Sequence, residues 1–337
     1  MSKATDIMAK INATMLKKYK SKAPELMMGS DLHTVEFIST GLLALDYLNG
    51  GGGPKGHVEQ IYGQKSSGKT SIVLRRIAEA QRLGLTCAFV DAEHTLDKGW
   101  AIKHGVNLDE LILYEPELEA SAEMILQTVY EMLMGCAIDV IVVDSVPALC
   151  PLAKIEKHME DKHYGGVSGP LSQFFDKIIG PGVLYNSETN LIFINQPREV
   201  IGSRFPMERL PGGRALSHYS SIITEVKKGD YITEGTGDNE VKIGIESKII
   251  NQKNKVRWPF KEQTLRLHFA SGFNPLWEVI RFAEKYELVD SNGAWMYYEG
   301  QSMGQGVNQH MSWLIENKET YFSLKEKIVA KIREGKY

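Results

Sequence analysis

Short apolar runs closed by polar or acidic residues alternate with helix-period segments through the first two thirds of the chain. His57 to Tyr62, Thr86 to Val90, Leu111 to Tyr114, Asp139 to Val143 and Asn190 to Ile194 read as buried strands. Between them, Thr70 to Ala78, Trp100 to His104, about Glu119 to Met134 and the segment before Asn190 read as helices. Strands separated by helices predict an α/β chain with a mainly parallel sheet. From Tyr219 to about Leu267 the period changes to two, as in Val241-Lys242-Ile243-Gly244-Ile245, which predicts an antiparallel extension of that sheet. Beyond Phe273 the pattern gives a helix from Pro275, a hairpin from Trp295 to Gly306 and two helices ending at Tyr337. Residues 1 to about 22 set Ile7, Met8, Ile11, Met15 and Leu16 at helical spacing among six lysines. Such a helix either packs on its own domain or docks on another subunit. Pro24 and Gly29 end it, and the stretch to Ile38 reads as a linker plus a short strand.

Two segments carry no period. Residues 156–170 and 197–213 read as long loops, and the second holds Arg198, Arg204, Phe205 and Arg209 ahead of Gly212-Gly213. Long loops in a compact domain are usually functional or disordered. Cations interleaved with rings suit single-stranded nucleic acid, whose phosphates and base faces they match.

With 337 residues and a net charge of −3, the chain suits one large or two ordinary soluble domains, and any polyanion site must be local. The N-terminus lacks the apolar block of a signal peptide, and no apolar run approaches the ~20 residues needed to span a bilayer. The expected location is the cytoplasm, with no membrane partner. Cys87, Cys136 and Cys150 form no C-x-x-C pair and read as reduced, packed thiols.

Chemistry enters with Gly63-Gln64-Lys65-Ser66-Ser67-Gly68-Lys69-Thr70, which fits G-x-x-x-x-G-K-[ST] between a strand and a helix that continues through Ser71. Glycines at both ends let successive N–H groups turn inward on a polyphosphate, and the helix adds the positive end of its dipole. Lys69 would reach the β- and γ-phosphates of ATP, and Thr70 would offer its hydroxyl to Mg²⁺. Asp91-Ala92-Glu93-His94 closes the next strand, where open α/β sheets place their ligands. Glu93 there either activates a water against the γ-phosphate or belongs to a surface acidic turn. Asp144, closing Asp139 to Val143, is placed as a Walker B acid holding Mg²⁺.

These segments together resemble the bacterial RecA recombinase family over nearly the whole chain. The match includes Ile38 to Gly41, Tyr62 to Thr70, Ala88 to His94, Asp139 to Val146, Phe193 to Gln196, Lys253-Asn254-Lys255, Pro259 to Lys261, Gly293 to Trp295 and the terminal helix from Ile328. The resemblance implies a P-loop NTPase core over residues 38–272, an N-terminal helix and linker for subunit docking over 1–37, and a small α/β domain over 273–337. It makes Glu93 the catalytic base, Gln196 the γ-phosphate sensor, and Lys253 and Lys255 a pair reaching the neighbouring subunit's ATP site. Asp97 and Trp100 fall where the family contacts adenine. Residues 156–170, with Tyr164 and Gly165, and 197–213, with Arg198, Arg204, Phe205, Gly212 and Gly213, match its two DNA-binding loops. Gly169 and Asp176 stand where the family has arginines, Tyr164 replaces a methionine, Pro197 follows the sensor glutamine, and the usual acidic tail is replaced by a basic end.

The function so implied is ATP-dependent strand exchange by a helical homo-oligomer on single-stranded DNA, with double-stranded DNA as its second partner. A ring-forming helicase-like motor and a non-catalytic ATP-binding mediator are the rivals. The small C-terminal domain disfavours the first, and the full set Lys69, Thr70, Glu93, Asp144 and Gln196 disfavours the second.

Overall fold

The computed structural model describes residues 3–20, 26–31, 34–117, 119–156, 166–199, 208–235 and 237–335. Among these, the chain forms two compact units, residues 1–36 and 37–337. In the first, helix α1 (Lys3–Tyr19) carries Asp6 in its first turn and Lys17 and Lys18 in its last, charges that complement the helix dipole. It buries no residue, and Ile7, Ile11 and Leu16 are exposed.

In the second unit, β1 (Phe37–Ile38) pairs with β2 (Gly53–Pro54) around α2 (Leu43–Asn49). The α/β alternation follows as β3 (Val58–Tyr62), α3 (Lys69–Arg82), β4 (Cys87–Asp91), α4 (Lys98–Lys103), β5 (Leu111–Tyr114), α5 (Ala122–Met134) and β6 (Val140–Asp144). Helices α6 (Leu152–Ile155), α7 (Ser168–Ile179) and α8 (Val183–Ser187) lead to β7 (Asn190–Asn195). A ribbon of β8 (Arg198–Glu199) and β9 (Glu208–Arg209) precedes α9 (Gly213–Tyr219). Then come β10 (Ile222–Glu234), β11 (Val241–Asn254), β12 (Glu262–His268) and β13 (Gly272–Phe273). The C-terminal part holds α10 (Pro275–Lys285), β14 (Asp290–Asn292), β15 (Trp295–Tyr298), β16 (Gln301–Gln305), α11 (Val307–Glu316) and α12 (Lys318–Arg333), with β14 to β16 forming a small antiparallel sheet.

The central sheet has nine strands in the order β13-β12-β11-β10-β3-β7-β6-β4-β5. Strands β10, β3, β7, β6, β4 and β5 run parallel, and β11, β12 and β13 extend the sheet antiparallel. Because strand side chains alternate, each buried strand feeds two cores. Cys87, Phe89, Val140, Val142, Ile192 and Ile194 face a core shared with α2, α3, α10, α11 and α12. Ala88, Val90, Ile141, Val143, Leu191 and Phe193 face one shared with α5, α7 and α9. This strand order lines up the carboxyl ends of β3, β7, β6 and β4, where the motif residues lie.

Three expectations are corrected. Residues 197–213 are not one irregular loop: β8 and β9 pair at its base, with Arg198 opposite Arg209, and α9 starts at Gly213. The first loop is shorter than its composition suggested, since Ser168, Gly169 and Pro170 open α7. Its Gly-Pro content does not forbid this, because proline is tolerated in a first helical turn, where N–H groups lack partners anyway. Cys136 is exposed rather than packed; only Cys87 of the three free thiols is buried. Among the described residues, no helix is long and apolar enough to cross a membrane.

Candidate active site

Strand β3 delivers the chain into the loop Gly63–Gly68, and α3 leaves it at Lys69. A Cβ at Gly63 would stand 2.0 Å from the Val226 carbonyl oxygen. At Gly68, φ is +99° and a Cβ would meet Ser247 Oγ at 2.9 Å, so both close approach and left-handed backbone require glycine there. Ser247 Oγ donates to Ser67 O at 2.8 Å, which ties the loop to β11. Gln64, Lys65 and Ser66 are exposed, whereas Ser67 is fully buried with an Oγ that has no hydrogen-bond partner. Lys69 is buried and donates from Nζ to Gln64 O at 2.8 Å. Burial pulls its ammonium down to about 8, against the opposing pull of the Asp144 and Glu93 carboxylates. A buried cation over a glycine-bounded loop of inward donors fits a polyphosphate.

Thr70 Oγ1, on the first turn of α3, donates to Asp144 Oδ2 at 3.1 Å at the end of β6. Burial, then the neighbouring Glu93 charge, pushes the Asp144 carboxyl up to about 7. A hydroxyl beside a carboxylate whose charge is otherwise disfavoured is a hard-oxygen donor set that fits Mg²⁺, an ion that takes few protein ligands and fills its shell with water and phosphate. Among the described residues, no group of three or more His, Cys, Asp or Glu could by itself hold a metal ion.

Ser145 Oγ hydrogen-bonds Glu93 Oε1, and the Ala92 and Glu93 amides donate to Asp144 O at 2.8 and 3.3 Å. The exit of β4 is thereby fixed to the end of β6, and Glu93 is held half-buried beside the Thr70–Asp144 pair. Asp91 has a different job: its carboxylate accepts from Thr95 N and Leu96 N at 3.2 and 2.8 Å and shapes the turn after Glu93. Asp97 caps α4 by accepting from Trp100 N at 2.6 Å. Trp100 Nε1 in turn donates to Ser71 Oγ at 3.2 Å, so the indole lies against the start of the P-loop helix.

Gln196 follows β7, half-buried, its amide donating to Asn195 Oδ1 at 2.9 Å. Asn195 Nδ2 donates to Pro211 O at 2.9 Å, and Gln64 Nε2 to Glu208 Oε1 at 2.9 Å. The returning arm of the second loop is thus bonded both to the P-loop and to the strand that ends at Asn195, one residue before Gln196. Arg198 Nη2 donates to Pro147 O at 3.0 Å. Lys154, Arg198, Arg209, Gly212 and Gly213 help line a cavity of about 380 Å³ between the bases of the two loops. Tyr164, Gly165, Arg204 and Phe205 lie outside the described residues. Asp176 lies on α7 and accepts from Tyr219 OH at 3.0 Å.

Lys253 and Lys255 point the same way. Lys253 Nζ donates to Ser217 O and His218 O at 2.7 and 2.9 Å, and Lys255 Nζ to His218 O at 3.4 Å. Both ammoniums therefore sit on the last carbonyls of α9, the helix that leaves the second loop. Burial and then the adjacent Lys255 charge lower the Lys253 pKa. Ser145, Glu208, Asn195 and Ser247 carry contacts here that no sequence motif assigned. Adjacency to Asp144 and Gln196 was a signal for Ser145 and Asn195; nothing local marked Glu208 or Ser247.

The chain matches two family models, the RecA N-terminal domain over residues 8–274 and the RecA C-terminal domain over residues 277–333. It is 41% identical over 325 residues to Protein RecA of Ectopseudomonas oleovorans, covering 94% of this chain and 91% of that protein. Protein RecA of Teredinibacter turnerae is 42% identical over 314 residues, covering 92% and 89%. That of Mycoplasma mobile is 40% identical over 319 residues, covering 94% and 93%. Among solved structures, the RadB recombinase shares the fold with a TM-score of 0.53 at 21% identity, covering 70% of this chain and 98% of that one. Two family models that together span nearly the whole chain and relatives at about 40% identity over nearly its full length leave one conclusion: the chain belongs to the RecA family and is a RecA-type recombinase.

Proposed function

We propose that this protein hydrolyses ATP when assembled as a helical filament on single-stranded DNA, and that the filament pairs and exchanges that strand with homologous double-stranded DNA. One observation carries the coupling of nucleotide to DNA: the second loop's returning arm is bonded to the P-loop through Gln64–Glu208 and to the sensor strand through Asn195–Pro211. A shift of Gln196 or of the P-loop on nucleotide binding is transmitted directly to that arm.

The residues divide the chemistry. The Gly63–Gly68 amides and Lys69 hold the phosphates, and Thr70 and Asp144 hold Mg²⁺, which neutralises charge on the phosphate oxygens when bound. Glu93, oriented by Ser145, positions a water and takes its proton as the new O–P bond forms and the bond to the ADP oxygen breaks. Asp97 and Trp100 receive the base, the indole offering a stacking face. Gln196 reads the γ-phosphate. Lys253 and Lys255 supply to the phosphates of the next protomer the cations that its own site lacks beyond Lys69. Two ammoniums crowded on the shared His218 carbonyl favour an anion arriving between them. Residues 1–37 dock protomers, 38–272 form the ATPase core with both DNA loops, and 273–337 form the small C-terminal domain. Tyr164, Gly165, Arg198, Arg204, Phe205, Gly212 and Gly213 contact DNA.

Mixing tests this reading. A Lys69→Ala protein and a Lys253→Ala/Lys255→Ala protein are each inactive alone; mixed on single-stranded DNA with ATP, they regain part of the turnover, in helical filaments visible by electron microscopy. Rings in place of filaments, or no recovery despite co-assembly, overturn it.

A further inference from the structure

His104 closes α4, its amide donating to Trp100 O and Ala101 O at 3.2 and 3.1 Å, and its side chain is buried at 3% exposure. Among the described residues, neither Nδ1 nor Nε2 has a hydrogen-bond partner. Burial, then the nearby Arg75 charge, holds the imidazole down at about 4, so the ring is neutral at neutral pH. Unpaired polar atoms in the interior carry a cost that an aliphatic side chain of similar size avoids. Residues that break a packing rule in this way concentrate at functional sites. The neighbours of the ring show what it serves. Trp100, one helical turn earlier, meets it in a T, with centroids 4.7 Å apart and planes at 82°. Phe273, in β13, stacks on it at 5.8 Å and 29°. Gly272 leaves the room for this, since a Cβ there would stand 2.8 Å from Nδ1 and 3.0 Å from Cε1. The indole itself is held at two further points, by Nε1 donating to Ser71 Oγ at 3.2 Å and by Lys103 Nζ, 5.6 Å from its ring centroid.

From this arrangement we infer that His104 is a positioning residue for the nucleotide base: it sets the angle of the Trp100 indole on which the base stacks, and takes its own footing from Phe273. The inference rests on the proposal that Trp100 receives the base, and it names what holds that indole ready. An aromatic ring carries negative charge on its face and positive charge on its edge, so neighbouring rings select tilted or perpendicular arrangements over other angles. A flat imidazole between Trp100 and Phe273 therefore chooses an orientation for the indole. Leucine would fill the same space without that preference and would leave the indole to pivot about its Ser71 hydrogen bond. A stacking face fixed before the nucleotide arrives loses less conformational freedom on binding. Being buried, His104 acts through Trp100, and its unpaired nitrogens are the cost at which the chain keeps a flat ring in this position.

Equilibrium binding to the full-length chain tests this with two probes, ADP and inorganic pyrophosphate, which share a diphosphate but not a base. His104→Leu weakens ADP binding about 2- to 10-fold, the range that one aromatic pair commands, and leaves pyrophosphate binding at the parent value. The same variant melts no lower than the parent, because it removes two unpaired buried nitrogens. His104→Phe, which keeps a ring between Trp100 and Phe273, restores most of the ADP affinity. A merely structural role predicts the opposite pattern, with a lower melting temperature and equal losses for both probes. That pattern overturns the proposal, as does unchanged ADP binding in His104→Leu or no recovery in His104→Phe. Trp100→Ala separates the two readings. If it leaves ADP affinity unchanged, the base does not stack on Trp100 and the underlying proposal fails; if it weakens ADP while His104→Leu does not, the positioning role alone is rejected.

Discussion

Thr70 Oγ1 donates to Asp144 Oδ2 at 3.1 Å although 74 positions separate the two residues. The hydroxyl belongs to the first turn of α3 and the carboxylate to the end of β6, two strands away across the sheet. That pair links the P-loop motif to the acid that follows a distant apolar run.

Asp144→Asn removes a carboxyl that burial holds at about 7, against 3.8 in an unstructured chain. A raised folded pKa contributes stability that is present below the unfolded value and lost as pH rises through the folded one. At pH 8 the wild-type side chain is therefore ionised at a cost, which asparagine avoids while keeping an acceptor for Thr70. Without nucleotide, Asp144→Asn should melt a few degrees higher at pH 8, with the gap narrowing towards pH 5. Its Mg²⁺-dependent turnover should be lost. Thermal scans across pH, with turnover against Mg²⁺, check both.

Lys69→Ala and Glu93→Gln should fail differently. Losing the ammonium deletes contacts made to the bound phosphates, so nucleotide affinity falls with turnover. Glutamine at 93 keeps the cradle and still accepts from Ser145, so affinity stays near the parent value while turnover falls by ~10²-fold or more. Equilibrium nucleotide binding and single-turnover hydrolysis separate the two. Parent-rate hydrolysis by Glu93→Gln would reject Glu93 as base.

Arg198 bonds Pro147 O through one nitrogen and remains exposed on the cavity between the loop bases. Arg198→Ala should weaken single-stranded DNA binding and reduce the log–log salt slope by roughly 0.7, the value of one phosphate contact on a single strand. Phe205→Ala should weaken it by ~1–3 kcal/mol through lost stacking, without a change of slope. Salt titrations of both variants distinguish a phosphate contact from a base contact.

Glu278 joins α10 to the core by accepting from Ala44 N at 2.9 Å, and burial pushes its carboxyl up to about 7 from 4.5. Asp46, also buried, is raised to about 6, chiefly by burial. Both contributions are fully present below the unfolded pKa values and decline as pH rises through the folded ones. Stability should therefore fall between about pH 4.5 and 7. Glu278→Gln should flatten that decline by on the order of 3 kcal/mol, since each pKa unit corresponds to about 1.4 kcal/mol. Denaturant titrations at pH 5, 6, 7 and 8 measure the slope.

Local pattern alone determined most of the elements. The apolar runs at Thr86 to Val90 and Asp139 to Val143 became β4 and β6, and the period-two stretch after Tyr219 became the antiparallel edge of the sheet. The P-loop was legible because its backbone path needs glycines at fixed spacing, a demand that the sequence must meet within eight residues. The pairing at the base of the second loop was not legible. Arg198 and Arg209 lie opposite one another only because β7 and α9 bring the two ends of that loop together.

The site itself was divided in the same way. Sequence supplied Lys69, Thr70, Glu93, Asp144 and Gln196 as residue types, but the tertiary structure decided that Ser145 orients Glu93, that Glu208 meets Gln64, and that Lys253 rests on the end of α9. Period and motif are set by neighbours within a few residues, where backbone geometry fixes the spacing. Contacts across 36 to 180 positions depend on strand order and on which face each strand buries, and those follow from the summed burial of both cores rather than from any short stretch of chain.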